Sequence, residues 1–323
     1  MKDLTYSIKK YRTLLVLVLM VAVASVLSDA FLSFTNLFNV ARQVSMTAIV
    51  AAGMTVVIIT AGIDLSVGST VALAGAIAAG LLRDTSSIGV ALLGALLTGL
   101  AMGLFNGALI TKGRLPDFIV TLATMAIARG LTLQYTQGHP IVVTNKAFKF
   151  FGGGFIGPVP VPIIIMAAIY VIFHILLRQT KFGRYTYAVG GNSDASRLSG
   201  INVNYIKLMV YVLSGFLTAV TAVILTARLG SAEPTAGVGL ELDAIAAVIL
   251  GGTSLAGGQG GVVGTLIGAL ILGVMDNTLN LLNVSPFWQE VAKGSIILAA
   301  VLADNKLNAL QLFGAKKKEV ESA

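Results

Sequence analysis

The stretch KFGRYTYAVGGNSDASRLSG, residues 181–200, decides how the rest of the chain is read. It is the longest polar, positively charged segment lying between two runs apolar enough to cross a membrane, near 159–177 and 205–227. Lys181, Arg184 and Arg197 stand against one acid, Asp194. That bias keeps a short loop on the cytoplasmic side. In its second half Asn192 or Ser193 can cap a helix, Asp194 suits the positive end of the helix dipole, and Gly200 stops it. A short helix held against the membrane by spans on both sides is a handle for a soluble motor. The plain alternative is a solvated loop whose charges only set topology.

The composition agrees with a membrane setting. The chain has 323 residues, 56% hydrophobic and 11% charged, with a mean hydropathy of +0.90. Soluble domains carry roughly 25% charged residues. The absence of cysteine and the presence of only 2 histidines exclude a disulfide framework and a Cys/His zinc cluster. The formal charge of +8 sits in short loops and at the chain ends. Membrane topology accounts for it better than nucleic-acid binding does.

Near the N-terminus, Lys2, Lys9, Lys10 and Arg12 precede an apolar core from Leu14 to Leu27. No small-x-small cleavage site follows, so the segment reads as an uncleaved first span rather than a signal peptide. With about 20 apolar residues per crossing, the chain gives about ten spans. They lie near 13–29, 44–61, 66–82, 88–111, 117–136, 159–177, 205–227, 242–256, 262–282 and 288–303. With the N-terminus inside, the inner loops hold Lys112, Arg114, the basic 178–204 loop, Lys306 and Lys316 to Lys318. The outer loops hold Arg83, Lys146, Lys149 and Arg228. The expected fold is an all-α polytopic helical bundle, N-in and C-in, forming a single transmembrane domain over residues 1–323.

Glycines are patterned. Gly99, Gly103 and Gly107 repeat every four residues on the fourth span, as do Gly264 and Gly268 on the ninth. Small residues at this spacing let helix backbones approach closely in lipid, so packing within the chain explains them. Two segments also resemble each other, VVIITAGIDLSVGSTVALAGAIAA (56–79) and AAVILGGTSLAGGQGGVVGTLIGAL (246–270). Each is an apolar run, a Gly-rich polar break and a second apolar run. Such breaks mark helices interrupted beside a cavity, or ordinary turns between spans. About six crossings separate them on this count, which would make them parallel; an inverted repeat needs an odd number, so either the count is off by one or the resemblance is not an inverted repeat.

Polar groups within the spans are candidates for a translocation pathway, because charges there are costly. Asp64 lies in the first break, Arg129 midway along the fifth span, and Glu241 and Asp243 open the eighth. Asn106, Asn277 and Asn280 add uncharged groups at membrane depth. An uncharged polar cargo would need hydrogen-bonding groups of this weak kind along a path. The structural alternatives are that Asp64 caps the following helix and that Arg129 pairs internally or snorkels. His174 and Lys293 read as interfacial. There is no P-loop motif, and GGQGGVVG (257–264) lies between spans with no strand before it. An ATP-driven machine would therefore need its ATPase on another polypeptide.

Several long motifs carry a resemblance. They are GMTVVIITAGIDLSVGS (53–69), RYTYAVGGNSDASRLSGINV (184–203) and SAEPTAGVGLELDAIAAVILGGTSLAGGQGGVVGTLIGALILG (231–273). NLFNVARQ (36–43), TLATMAIARGLTLQYTQG (121–138) and LNLLNVS (279–285) extend it over nearly the whole chain. Together they resemble the monosaccharide ABC importer permeases, with the ribose branch as the nearest. The resemblance implies a non-enzymatic, multi-pass subunit of a bacterial cytoplasmic (inner) membrane that moves a monosaccharide by alternating access. It also implies a partner ABC ATPase that binds ATP and Mg, with no cofactor in this chain. A periplasmic or lipid-anchored sugar-binding protein, a second permease copy and membrane lipid complete the implied set, with no nucleic acid. The segment holding Asn192, Asp194, Ala195, Ser196, Arg197 and Gly200 is similar to the family's coupling motif, a Glu-Ala-Ala followed shortly by Gly; Gly200 matches, and Asp194, Ala195 and Ser196 stand where Glu-Ala-Ala is usual. The chain also departs at Glu233, where Gln is usual, and at Asp276, where Asn is common. Other cargo, such as another sugar or autoinducer-2, remains open on the sequence, as does an ion-coupled transporter built on Asp64 and Arg129.

Overall fold

The computed structural model describes residues 2–296, 298, 299 and 302, and is helical almost throughout. In chain order the elements begin with α1 (Lys2–Leu27), α2 (Phe34–Ile59), α3 (Val67–Thr85), α4 (Ile88–Thr111) and α5 (Asp117–Thr136). Then come β1 (Ile141–Val142), α6 (Lys146–Gly153), β2 (Phe155–Ile156), β3 (Val159–Pro160) and α7 (Val161–Gln179). The second half holds α8 (Lys181–Gly191), α9 (Ser193–Leu198), α10 (Val203–Leu229), β4 (Ser231–Ala232), α11 (Leu240–Leu250) and α12 (Val262–Leu281). A further helix, α13, starts at residue 286.

Among the described residues, seven helices are long and apolar enough to cross a membrane: α2, α3, α4, α5, α7, α10 and α12. The other three expected crossings differ. The apolar part of α1, Thr13–Leu27, is shorter than a full crossing. The apolar run near 242–256 yields only the 11-residue α11, because Gly239 opens it and Gly251-Gly252 ends it. The last expected span, 288–303, and the basic residues Lys306 and Lys316 to Lys318 lie partly or wholly outside the described residues.

The bundle is built around α2 and α10. From Val44 to Ile59, α2 is buried on every side, as a helix apolar all round must be. It packs on α7, α10, α11 and α12, and the Tyr170 hydroxyl of α7 donates to Ala48 O at 2.9 Å. Against α10 lie α2, α3, α4 and α6. Small residues make this possible. A Cβ on Gly99 would strike Gly215 O, one on Gly103 would strike Tyr211 O, and one on Gly107 would crowd Leu208. The same holds between α12 and α11, where Gly264 abuts Gly251 and Gly268 abuts Ala247. Both glycine repeats are thus intrachain packing seams, with backbone dispersion replacing the hydrophobic drive that lipid does not supply.

The two ends of the bundle differ. At one, β1 pairs antiparallel with β4 (Ile141 opposite Ala232), β2 pairs with β3, and α6 lies against the last turn of α10 through Gly152. At the other stand α8 and α9.

Candidate functional site

The segment 181–200 folds as two helices in tandem. The Thr180 hydroxyl accepts from Gly183 N at 3.2 Å and starts α8. Asn192 then caps α9, its Oδ1 accepting from Asp194 N at 3.1 Å and Ala195 N at 2.9 Å. Gly200, at φ +83°, closes it. Helix-start chemistry was legible only for α9; the first half also being helical follows from Thr180, a cap preceding an otherwise mixed sequence. On α9, Ser196 is buried, whereas Asp194, Ala195 and Arg197 face outward. Leu198, at 90% exposure, is an apolar knob that the sequence reading passed over. A large apolar side chain standing free at the tip of a short helix suits a groove on another protein.

The end of α8 touches both Gly-rich breaks. The first break, between α2 and α3, and the second, between α11 and α12, meet where Gly258 N donates to Ile59 O at 2.9 Å. Gly190 sits over that bond so closely that a Cβ there would overlap Ile59 O and press on Gly258 N. Gly257 (φ +85°) and Gly258 (φ +73°) hold left-handed conformations that glycine adopts at no steric cost. The Tyr187 hydroxyl of α8 donates to Gly260 O at 2.9 Å, a second link to the same break. Since α2 and α11 both end at this junction, the two resembling segments run in the same sense. Five long helices and the short α11 lie between the breaks, in keeping with the parallel reading.

Asp64 lies in the first break and organises a buried polar network. Its Oδ1 accepts from Ser66 N (3.1 Å) and Ser66 Oγ (2.6 Å), and its Oδ2 from Ser214 Oγ of α10 (2.9 Å). Asn106 Nδ2 of α4 donates to Ser66 Oγ at 2.9 Å. Asp64 therefore shapes the turn before α3 and pins it to α4 and α10. No side chain caps α3 itself.

Arg129 is not beside Asp64. Its Nη1 donates to Pro234 O at 2.6 Å and Ala236 O at 3.0 Å, in the irregular segment between β4 and α11. That segment turns through Gly237 and Gly239, both at positive φ, and presses Gly237 O against Gly68 in the first turn of α3. Non-helical backbone inside a membrane bundle needs partners for its carbonyls, and the guanidinium supplies them. The Glu241 carboxylate also crowds Gly68.

The remaining candidates fall into separate groups. Lys293 Nζ lies 3.5 Å from the Asp243 carboxylate, 3.3 Å from Asp276 Oδ2 and 3.7 Å from Glu290 Oε1. The Lys293 side chain is only 16% exposed, drawn in by these three acids. Asn277 and Asn36 form a reciprocal amide pair at 2.8 and 2.9 Å between α12 and α2. Asn280 accepts from Gln289 at 2.9 Å. None of the seven pathway candidates lines a cavity of about 770 Å³ that opens at the α8–α9 end. Its walls are Thr60, Thr111 and Tyr211 deep in the bundle and Arg114, Arg197 and Lys207 toward the opening.

Comparison with known proteins accounts for the whole. A family model described as branched-chain amino acid transport system / permease component matches residues 36–301. The chain is 51% identical to the ribose import permease protein of Escherichia coli strain K12, over 91% of this chain and 93% of that one. It is 48% identical to the ribose import permease protein of Haemophilus influenzae, over 93% and 94%. With that of Bacillus subtilis strain 168 it is 50% identical, over 91% and 92%. Seven helices long and apolar enough to cross a membrane among the described residues, a capped helix pair seated on two glycine breaks and these matches lead to one conclusion: the chain is a multi-pass membrane protein that belongs to the branched-chain amino acid transport system / permease component family.

Proposed function

We propose that the chain is the membrane-spanning permease subunit of an ATP-binding-cassette importer that carries ribose. About half of its residues are identical to those of ribose import permeases over more than nine tenths of its length, and this observation carries the cargo. ATP and Mg belong to a partner ATPase; a sugar-binding protein delivers the cargo on the opposite side.

In this reading the whole of residues 1–323 forms one transmembrane domain of about ten spans in the bacterial inner membrane, N-in and C-in. The basic character of 178–204 supports placing the α8–α9 end in the cytoplasm. The coupling residues are Asn192, Asp194, Ala195, Ser196, Arg197 and Gly200. The contact of Gly190 with Ile59 and Gly258 supports that role, since a push on α9 reaches both breaks through a few ångströms of backbone. ATP-driven closure of the ATPases moves α8 and α9, the breaks shift, and α3, α11 and α12 rock between outward- and inward-open states.

A second copy of the chain completes the path. Glu241 and Asp243 are partly exposed on α11, flanked by Val238 (74% exposed) and Leu242 (53%). A mixed apolar and carboxylate surface of this kind at membrane depth favours lining a water-filled route over facing lipid. Asp64, Asn106, Arg129, Asn277 and Asn280 shape that route by positioning the helices behind it.

Labelled ribose uptake tests the assignment in cells expressing the chain with and without its ATPase. Uptake that requires the ATPase and survives collapse of the proton gradient is expected. Uptake by the chain alone, lost with the gradient, would replace the proposal with a secondary transporter.

A further inference from the structure

The cavity at the α8–α9 end gathers three cations, of which the proposed coupling uses only Arg197. Arg114 enters from the turn between α4 and α5, Arg197 from α9, and Lys207 from the first turns of α10. These three cations come from three elements and converge on one opening. Among the described residues none of them forms an ion pair. Asp117, the acid on the wall, has its Oδ2 taken by Ile63 N at 2.7 Å. Arg114 is held in the left-handed region at φ +53°, an unusual conformation for a residue with a Cβ.

The wall also carries apolar side chains. Ile110, Leu115, Pro116 and Val203 line it, and the hydroxyls of Thr60 and Thr111 are spent on their own helix carbonyls. The neighbouring first turn of α5 exposes Phe118 (52%) and Ile119 (59%). An exposed apolar turn of this kind beside a cavity suits a lipid neighbour.

We infer that this cavity binds a phosphate-bearing anion, held by Arg114, Arg197 and Lys207. Guanidinium forks match phosphate oxygens in pairs, and an ammonium adds a point charge, so three such groups around one opening suit phosphate. Basic pockets between helices near a membrane surface take phospholipid head groups. A free phosphate compound would satisfy the same cations. Either way the ligand ties the α9 arginine to α10 and to the α4–α5 turn, bracing the helix that carries the coupling motif.

The test uses the purified full-length permease without its ATPase, so its outcome is independent of transport. Thermal unfolding is followed in detergent at fixed ionic strength with phosphatidylglycerol, with phosphatidylcholine or with inorganic phosphate. The variants are R114Q with K207Q, and R83Q, which removes an exposed arginine elsewhere. Phosphatidylglycerol is expected to raise the midpoint of the wild type and of R83Q by a few degrees, and the R114Q/K207Q shift should be at most a third of that. An equal rise with inorganic phosphate would assign the site to a soluble ligand while keeping its chemistry. A shift with phosphatidylglycerol that the double variant retains, or no shift with either anion, would overturn the inference. Because the comparison is of ligand-induced shifts, a lower starting midpoint in the double variant does not obscure it.

Discussion

Gly258 N donates to Ile59 O at 2.9 Å, so the two breaks in the bundle are joined main chain to main chain. Gly190 closes over that bond, and no side chain intervenes. The proposed coupling helix is therefore one residue pair away from both breaks.

Gly190→Val should block coupling. Its Cβ would overlap Ile59 O, and overpacking of this kind costs about 1–3 kcal/mol. Ribose uptake is expected to fall at least tenfold while the protein still inserts. Gly191→Ala, at a position with nothing within 4 Å, should transport normally. Equal behaviour of the two variants would remove the junction from the mechanism.

Asn192→Ala should fray α9 by removing a cap, at a cost of about 1 kcal/mol. Sugar-stimulated ATP hydrolysis in the reconstituted importer should drop several-fold, and Asn192→Ser should restore most of it. Asp194→Lys or a bulky residue at Gly200 should uncouple hydrolysis from uptake more completely, without loss of permease from the membrane. Leu198→Glu should weaken capture of the ATPase, measured as co-purification.

Arg129→Met should leave Pro234 O and Ala236 O without their donor. An unsatisfied buried carbonyl costs roughly 1–3 kcal/mol. The expected result is a lower thermal midpoint with faster proteolysis between β4 and α11. Arg129→Lys should recover only part of this, since the lysine ammonium stops short of the Nη1 position that makes both hydrogen bonds. A variant with normal stability and lost uptake would instead make Arg129 a cargo contact.

Asp64→Asn should keep most uptake. The amide oxygen still accepts from a serine hydroxyl, and its NH₂ group is new. Asp64→Ala strands Ser66 and Ser214 and should destabilise by about 1–3 kcal/mol. Should Asp64→Asn abolish uptake and leave stability intact, Asp64 would be a proton carrier and the secondary-transporter reading would revive.

Much of the bundle was legible from the chain because lipid imposes a simple rule: long apolar runs become helices. α4, α5 and α12 fall within a residue or so of their expected limits. The glycine repeats foretold seams because a missing Cβ has one obvious use in lipid. Three features were hidden. α2 begins at Phe34, ten residues before its expected start, because Ser33 caps an amphipathic first turn that hydropathy alone does not register. α11 is half a span because Gly251 and Gly252 end it within an apolar run. The polar candidates looked alike in sequence, yet Asp64, Arg129, Lys293 and Asn277 each found a different nearby partner. Those partners are 105 to 241 residues away for Arg129 and Asn277, a separation that no local pattern encodes.

The glycine junction has one more implication. A contact made of peptide groups alone carries no chemical preference, so whatever passes through it is displacement and nothing else. On the proposed mechanism, a stroke delivered at α9 is blind to the cargo. Changes of cargo during evolution could then be written into the binding protein and the α11 surface, with the drive train left untouched.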